Sequence, residues 1–398
     1  MFDLLKAIYI EDLLTFIEEE DVRFIRLAFF DVFGIQRNIS ILPDHLPKVL
    51  KHGIEIDANA LPGLTSTENR ALYLRPDISS AKILPWRSVD GSVICMICDL
   101  FDQDQAVHPL DCRRMLKDAM KASADQDVYF DLSTQFEFYL FLLDETGRCT
   151  TRPLDQAGYM DVAPEDKGEN IRRELCMTLG QMGLQPQASY HQCGPGQMEI
   201  DFHSSLPLQA ADEASMFKWV VRTVSESNGL YADFGPKPIE GMPGNGMHIV
   251  MKFSSSMEQE TIDHFLAGIL AHISELTLFF NPGESSYERL GKQKAPDHVG
   301  WSTDHLHELI HIDRRNRRVA ELRSPDPMCN PYLSFSLLIY AGLDGVEKKL
   351  PLEAPLNNSC DVGTIKRLPQ SKQEAFGLAY ESEWVRRFVP ERMITLYR

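Results

Sequence analysis

The chain has too little positive charge for two large classes of partner. Its 40 Lys and Arg face 58 Asp and Glu, a formal net charge of −18 over 398 residues, whereas nucleic acid and anionic membranes both call for a basic surface. Such an acidic chain suits a soluble cytoplasmic protein. The N-terminal MFDLLKAIYIEDLL mixes charges into its apolar residues, which is not the pattern of a signal peptide. A long charge-free apolar run is also missing. The most apolar stretch, FLAGILAHISELTLFF, carries His272 and Glu275 and reads as an amphipathic core helix. The eight cysteines are dispersed without paired metal-ligand spacing. Cys95 and Cys98 form a C-x-x-C, but SVICMICDL reads as a strand, on which their side chains point to opposite faces. Buried reduced thiols in a reducing compartment are the expectation. Internal repeats and low-complexity tracts are absent.

What is present points to an α+β protein of two domains, for which the length is sufficient. Residues 1–100 alternate short β-type runs with turn residues, and FDQDQAVHP follows as a polar linker. From Leu110 a helical period begins, and residues 101–398 alternate strands with long helices. Amphipathic helices fit 168–183, 208–227, 257–279, 331–349 and 370–397. Asn330 is placed to cap the fourth of these, with Pro331 in its first turn.

Four short strands carry chemistry at alternate positions: QFEFYLF (135–141), GQMEIDF (196–202), GMHIVMKF (246–253) and VAELRSPDP (319–327). Period two puts Gln135, Glu137 and Tyr139 on one face and Phe136, Phe138 and Leu140 on the other. The same count groups Gln197 with Glu199 and Asp201, His248 with Val250 and Lys252, and Glu321 with Arg323. Taken singly, each polar face also reads as the solvated side of an antiparallel sheet, and His248 as a core histidine. Four such faces together outline a two-metal pocket with some of its charge removed.

The text around these strands resembles, in order, the motifs of the glutamine synthetase family. HQCGPGQMEIDF is similar to the family's His-Glu-x-x-Pro-Gly-Gln-x-Glu segment, GNGMH to its Gly-x-Gly-Met-His and SYERL to its Asn-Ser-Tyr-x-Arg-Leu. RRVAELRSPDPMCNPYLSFSLLIYAGLDGVEKK resembles its Glu-x-Arg-x-Pro-Asp-Pro stretch and following helix. AFFDVFGIQRNISI, GIEIDANALPGL and LRPDISSAKILPWR resemble its N-terminal domain. The resemblance implies a small N-terminal β-grasp domain (1–100) and a larger catalytic domain (101–398) built on a half-barrel antiparallel sheet with helices. It also implies stacked-ring homo-oligomers in which one subunit's N-terminal domain closes the next subunit's pocket.

The chemistry implied is phosphoryl transfer from ATP, gripped by two Mg²⁺ or Mn²⁺ ions, to the γ-carboxylate of glutamate, followed by attack of ammonia. Hard cations need oxygen-rich ligands, and the transferred group needs surrounding positive charge. By resemblance, one metal position reads Glu137, Gln192 and Glu199, and the other Gln135, His248 and Glu321. Two carboxylates have thus become amides, which can still coordinate through oxygen but bring no charge. Gly244, Arg289 and Arg323 stand where the family holds the amino acid and the phosphoryl group, a task suited to the guanidinium fork. Asp57 matches the base that accepts a proton from ammonium, although Ala58, Asn59 and Ala60 depart from the usual Gly-Ser-Ser, and on its own Asp57 reads equally as a cap.

The nucleotide side departs furthest. Lys294 in KQKAP replaces the flap glutamate that helps bind ammonium, Leu306 and His311 replace two phosphate-binding arginines, and Val250 and Lys252 replace a histidine and a serine facing the nucleotide. Two function classes follow. One is a metal- and ATP-dependent ligase joining glutamate, or a related acid, to ammonia or an amine, with nucleotide and metal sites partly eroded. The other is a catalytically inactive member that keeps an amino-acid pocket as sensor or companion subunit in a ring oligomer.

Overall fold

The computed structural model describes residues 10–64, 71–87, 91–356 and 365–398. The start of the N-terminal segment and Cys360 lie outside them. The chain divides into two compact units, the first running to Arg114 and taking in Cys176–Gln185, the second comprising Met115–Leu175 and Pro186–Arg398.

The first unit is a β-grasp domain. Its strands run in the order Gln36–Ile41, Val22–Phe30, Ser92–Phe101, Ala71–Pro76, Ile54–Asp57, with Lys82–Ile83 also on Ser92–Phe101. Val22–Phe30 and Ser92–Phe101 pair in parallel and the other pairs are antiparallel. The central strand is buried from Ile94 to Cys98, as expected of a run without alternation. Burial pushes the Cys95 thiol up to about 12 and Cys98 well above its ordinary value. Both stay protonated, and neither is set up as a metal ligand or redox centre.

The second unit is built on a curled half-barrel sheet. The order is Trp301–Ser302, Ile310–Ile312, Val319–Leu322, Met247–Phe253, Phe130–Leu143, Gln197–Phe202, Pro186–His191, and Leu230–Asp233 and Cys149–Pro153 also pair with Phe130–Leu143. The pairs are antiparallel except Trp301–Ser302 with Ile310–His311. The strand alternation appears as read: Phe136, Phe138 and Leu140 are fully buried. The first two meet Phe217 of the helix Pro207–Ser227, with ring centroids 4.8 and 6.0 Å apart.

Behind this layer the helix Gln259–Phe280 packs against Pro331–Lys348. A Cβ on Gly268 would stand 2.2 Å from the Ala341 carbonyl, so glycine there lets two backbones approach. Gln259–Phe280 is long and apolar enough to cross a membrane, yet its apolar window is 67% buried inside the fold, and it is a core helix. Asn330 caps Pro331–Lys348 as expected, its side chain accepting from Tyr332 and Leu333 N–H. The expected helix over 370–397 is three short ones, Lys372–Glu381, Glu383–Phe388 and Glu391–Leu396. Ser382 caps the second by accepting from Val385 N–H at 3.0 Å, and Pro390, which has no N–H to donate, precedes the third.

Candidate active site

Strand register assembles the polar face. Glu199 lies opposite Glu137, Asp201 opposite Gln135 and Gln197 opposite Tyr139. His248 is the partner of Gln135, and Glu321 that of both Val250 and His311. The face is not a solvated side. Gln197, Glu199, His248, Gln192 and Glu137 are 0%, 2%, 6%, 7% and 8% exposed.

The first predicted ligand set is held together by its amide. Gln192 Nε2 donates to Glu137 Oε1 at 2.9 Å and to Glu199 Oε2 at 2.6 Å, while Gln192 Oε1 accepts from Cys193 N–H at 2.9 Å. Turning the amide over would face its oxygen to two carboxylates and its NH₂ to an N–H, so the hydrogen bonds fix this orientation. The other Glu137 oxygen accepts from Gly246 N–H at 2.6 Å. Burial first, then the charge of Glu199, raises Glu137 above the usual carboxylate range.

In the second set, His248 Nδ1 lies 3.0 Å from Glu321 Oε1 and 3.2 Å from Gln135 Oε1. Arg323 Nη1 bonds the same Glu321 oxygen. Burial alone would raise Glu321, but the His248 bond and the charges of His248 and Arg323 bring it down to about 2. In both sets side-chain donors meet the carboxylate oxygens directly. An amide nitrogen fills the first, and the carboxylate of the second is taken by a guanidinium and an imidazole.

Arg289 ends the helix Glu284–Arg289 and is 3% exposed. Its guanidinium donates to Ser324 O at 2.8 Å and Arg323 O at 3.1 Å. Burial lowers its pKa, opposed by the charges of Asp326 and Glu137. A Cβ on Gly244 would lie 2.3 Å from Pro236 O and 2.9 Å from Arg289 Cγ; the backbone comes this close because residue 244 has no side chain. Arg323 follows the strand Val319–Leu322, and its buried Nε has no hydrogen-bond partner among the described residues.

Of these residues, Glu137, Gln192, Gly244, His248, Arg289 and Arg323 line one pocket with Lys292, Gln293, Lys294 and Ala295, whereas Gln135, Glu199 and Glu321 are not among its lining residues. Its volume is only ≈ 20 Å³, so the segment 292–295 closes it tightly. Lys294 Nζ sits 4.7 Å from the centroid of the Tyr159 ring, a cation–π contact. Gln293 is tied to Gly241 O at 3.2 Å and to Lys237 Nζ at 3.1 Å.

The remaining candidates are not among the residues that line that pocket. Asp57 belongs to the first unit, where its carboxylate accepts from Asn59 N–H at 2.9 Å and caps the turn Ala58–Ala60. Leu306 is 57% exposed. His311 lies on Ile310–Ile312, its buried Nδ1 without a partner among the described residues. Lys252 lines a second cavity of ≈ 690 Å³ with Asp131, Arg318, Ser254 and the apolar Phe130 and Phe253.

Sequence reasoning missed the support behind Gln192. His191 Nε2 lies 2.9 Å from Asp155 and its Nδ1 2.7 Å from Gln192 O, and Arg172 grips Asp166 at 2.6 and 3.0 Å. Asp155, Asp166 and His191 have metal-like spacing, but these partners already occupy them. Of the three, His191 anchored on Asp155 holds the Gln192 backbone. The His-Gln step of HQCGPG was the available signal.

Asp201, on the chemical face but outside the predicted ligand sets, has a buried Oδ1 with no partner among the described residues. Burial first, then Glu199, pushes its carboxyl up to about 8. The folded chain therefore holds a proton that the unfolded chain releases near its ordinary value of 3.8, and this contribution to stability declines as pH rises from about 4 to about 8. Asp201→Asn removes the decline. In EDTA buffer the variant should melt above the parent at pH 8, by about 2–4 °C for each kcal/mol regained, and match it near pH 4. Parallel melting curves from pH 4 to 8 would contradict this.

Residues 109–398 match the family model of the glutamine synthetase catalytic domain and residues 21–103 that of the glutamine synthetase beta-grasp domain. The chain is 34% identical over 410 residues to the glutamine synthetase of Clostridium saccharobutylicum, covering 97% of this chain and 93% of that protein. It is 34% identical to that of Methanosarcina mazei (97% and 92% covered) and 35% to that of Staphylococcus aureus (92% and 85%). Among solved structures, a GmaS/ADP complex and ligand-free GmaS each superpose with a TM-score of 0.87, at 23% and 24% identity. They cover 97% and 98% of this chain and 94% of theirs, a likeness of fold.

Proposed function

Because the chain belongs to the glutamine synthetase family of ligases, we propose that its central pocket, once the segment 292–295 that closes it moves aside, binds glutamate or a similar dicarboxylic amino acid without needing nucleotide. The observation that carries this is the ring of cations: Arg289, Arg323, Lys292 and Lys294 line the pocket beside Gly244, against the single carboxylate Glu137. Guanidinium groups in such a dry space grip carboxylates with charge-assisted hydrogen bonds. Arg323 and Arg289 are the substrate-binding residues of this reading.

The same ring disfavours ordinary glutamine synthesis. Lys294 tethers an ammonium group of its own over Tyr159, so the flap repels the cation that a carboxylate there would attract. With side-chain donors already on the carboxylates among Gln135, Glu137, Gln192, Glu199, His248 and Glu321, an Mg²⁺ or Mn²⁺ ion would be held weakly. The chain then works in the cytoplasm as an amino-acid sensor or companion subunit, in a homo-oligomer of stacked rings that lends Asp57 to the neighbouring pocket. A stable monomer in sedimentation at micromolar concentration would contradict the ring.

A second reading draws on the ≈ 690 Å³ cavity beside Lys252 and Arg318, which has room and positive charge for a nucleotide. On that reading the protein is an ATP- and metal-dependent carboxylate–amine ligase, with Asp57, Arg289 and Arg323 as its catalytic residues and ammonia or an amine as nucleophile. Calorimetry separates the two: glutamate binding in nucleotide-free buffer supports the first, and glutamate-driven hydrolysis of Mg-ATP supports the second.

A further inference from the structure

We propose that Gln192 is a built-in replacement for a divalent cation, its side-chain NH₂ cross-linking Glu137 and Glu199 so that this part of the site is assembled without metal. Two buried carboxylates facing each other need something positive between them. In this chain both Gln192 N–H groups supply it, at 2.9 and 2.6 Å, and a hydrogen bond to a charged acceptor is the stronger kind.

The amide cannot yield its place easily. Its oxygen is held by Cys193 N–H at 2.9 Å. Its backbone is fixed on both sides, since Gln192 N–H donates to Gln197 O at 2.7 Å and Gln192 O meets His191 Nδ1 at 2.7 Å. His191 is in turn anchored on buried Asp155. An incoming cation would take Glu137 and Glu199 as ligands only by breaking the two hydrogen bonds that Gln192 donates to them, and the amide would then have to turn away from Cys193 N–H to add its one neutral oxygen. Sequence alone allowed the opposite outcome, a Gln carbonyl coordinating the ion; the donor orientation is what decides against it.

The replacement also predicts how the metal is regained. Glutamate at 192 would place three carboxylates around one point, a charge that only a cation can balance.

The test compares Mn²⁺ binding by calorimetry, and melting temperature in EDTA and in Mn²⁺, for the parent, Gln192→Glu, Gln192→Leu and Glu199→Gln. The parent should melt alike in EDTA and Mn²⁺, and any Mn²⁺ it takes up elsewhere should be unchanged in Glu199→Gln. Gln192→Leu should melt lower than the parent in both buffers. Gln192→Glu should be the least stable in EDTA, recover in Mn²⁺, and bind one further Mn²⁺ at least about tenfold more tightly than the parent. A Mn²⁺ site in the parent that disappears in Glu199→Gln would overturn the proposal even if Gln192→Glu fails to fold. So would a Gln192→Leu variant as stable as the parent. Glutamate binding is not read in this experiment, so its outcome is separate from the amino-acid reading.

Discussion

Replacing Arg323 by alanine should abolish measurable glutamate binding while leaving the assembly and most of the stability intact. The guanidinium stands at the rim of the central pocket with a buried Nε that no described residue satisfies, so an acceptor supplied by a ligand meets a donor already desolvated. Among the described residues only the Glu321 side chain competes for it, through Nη1. A hydrogen bond to a charged partner is worth about 1.5–3 kcal/mol, and a two-pronged grip loses affinity by roughly 10- to 150-fold or more when it is removed. Glu321 keeps His248 at 3.0 Å in the variant, which limits the cost to folding. Calorimetry gives the affinity, and sedimentation compares the assembly state of the variant with that of the parent. An affinity within about twofold of the parent would remove Arg323 from the site.

Gly244→Ala should be nearly as damaging by a different route. The new methyl would sit 2.3 Å from the Pro236 carbonyl and 2.9 and 3.1 Å from Cγ and Cδ of Arg289. Arg289 cannot retreat freely, because its two nitrogens hold Ser324 and Arg323 carbonyls. Either the 236–244 loop moves or those bonds break, and overpacking of this kind costs about 1–3 kcal/mol. The loop also carries the Gly244 carbonyl bonded by Gln197 at 3.2 Å, so the pocket wall shifts with it. Denaturant unfolding should show the loss of stability, and glutamate binding should weaken by at least about tenfold. Unchanged values of both would mean that the close approach is not needed.

Much of this site could be read before any coordinates. Strand alternation alone places Gln135, Glu137 and Tyr139 together, and the family motifs supply the order in which the other strands join them. Register then follows, since a one-residue slip would bury the charges among Phe136 and Phe138. What escaped reading was direction. Nothing local to Gln192 says that its nitrogen, rather than its oxygen, faces Glu137, a residue 55 positions earlier; the Cys193 N–H and the His191–Asp155 pair decide it. The contact of Lys294 with Tyr159 likewise depends on how two distant loops meet. The C-terminal helix was overextended because its apolar spacing outweighed Ser382 and Pro390, which are the residues that divide it. Asp57 read equally as base or cap, and the cap is the role visible in the first unit.

The central claim, an amino-acid pocket that has outlived its nucleotide partner, is tested most directly by calorimetry of one sample of the parent protein, with glutamate titrated first and Mg-ATP second. On the proposed reading, Lys294, Leu306, His311 and Val250 stand where the family grips and shields nucleotide, and several lost charged contacts at a few kcal/mol each would weaken binding by orders of magnitude even when not additive. The account predicts saturable heat from glutamate in nucleotide-free buffer and none from Mg-ATP below about 1 mM. Mg-ATP binding at micromolar concentration, with hydrolysis driven by added glutamate, would contradict it and make the protein a working ligase.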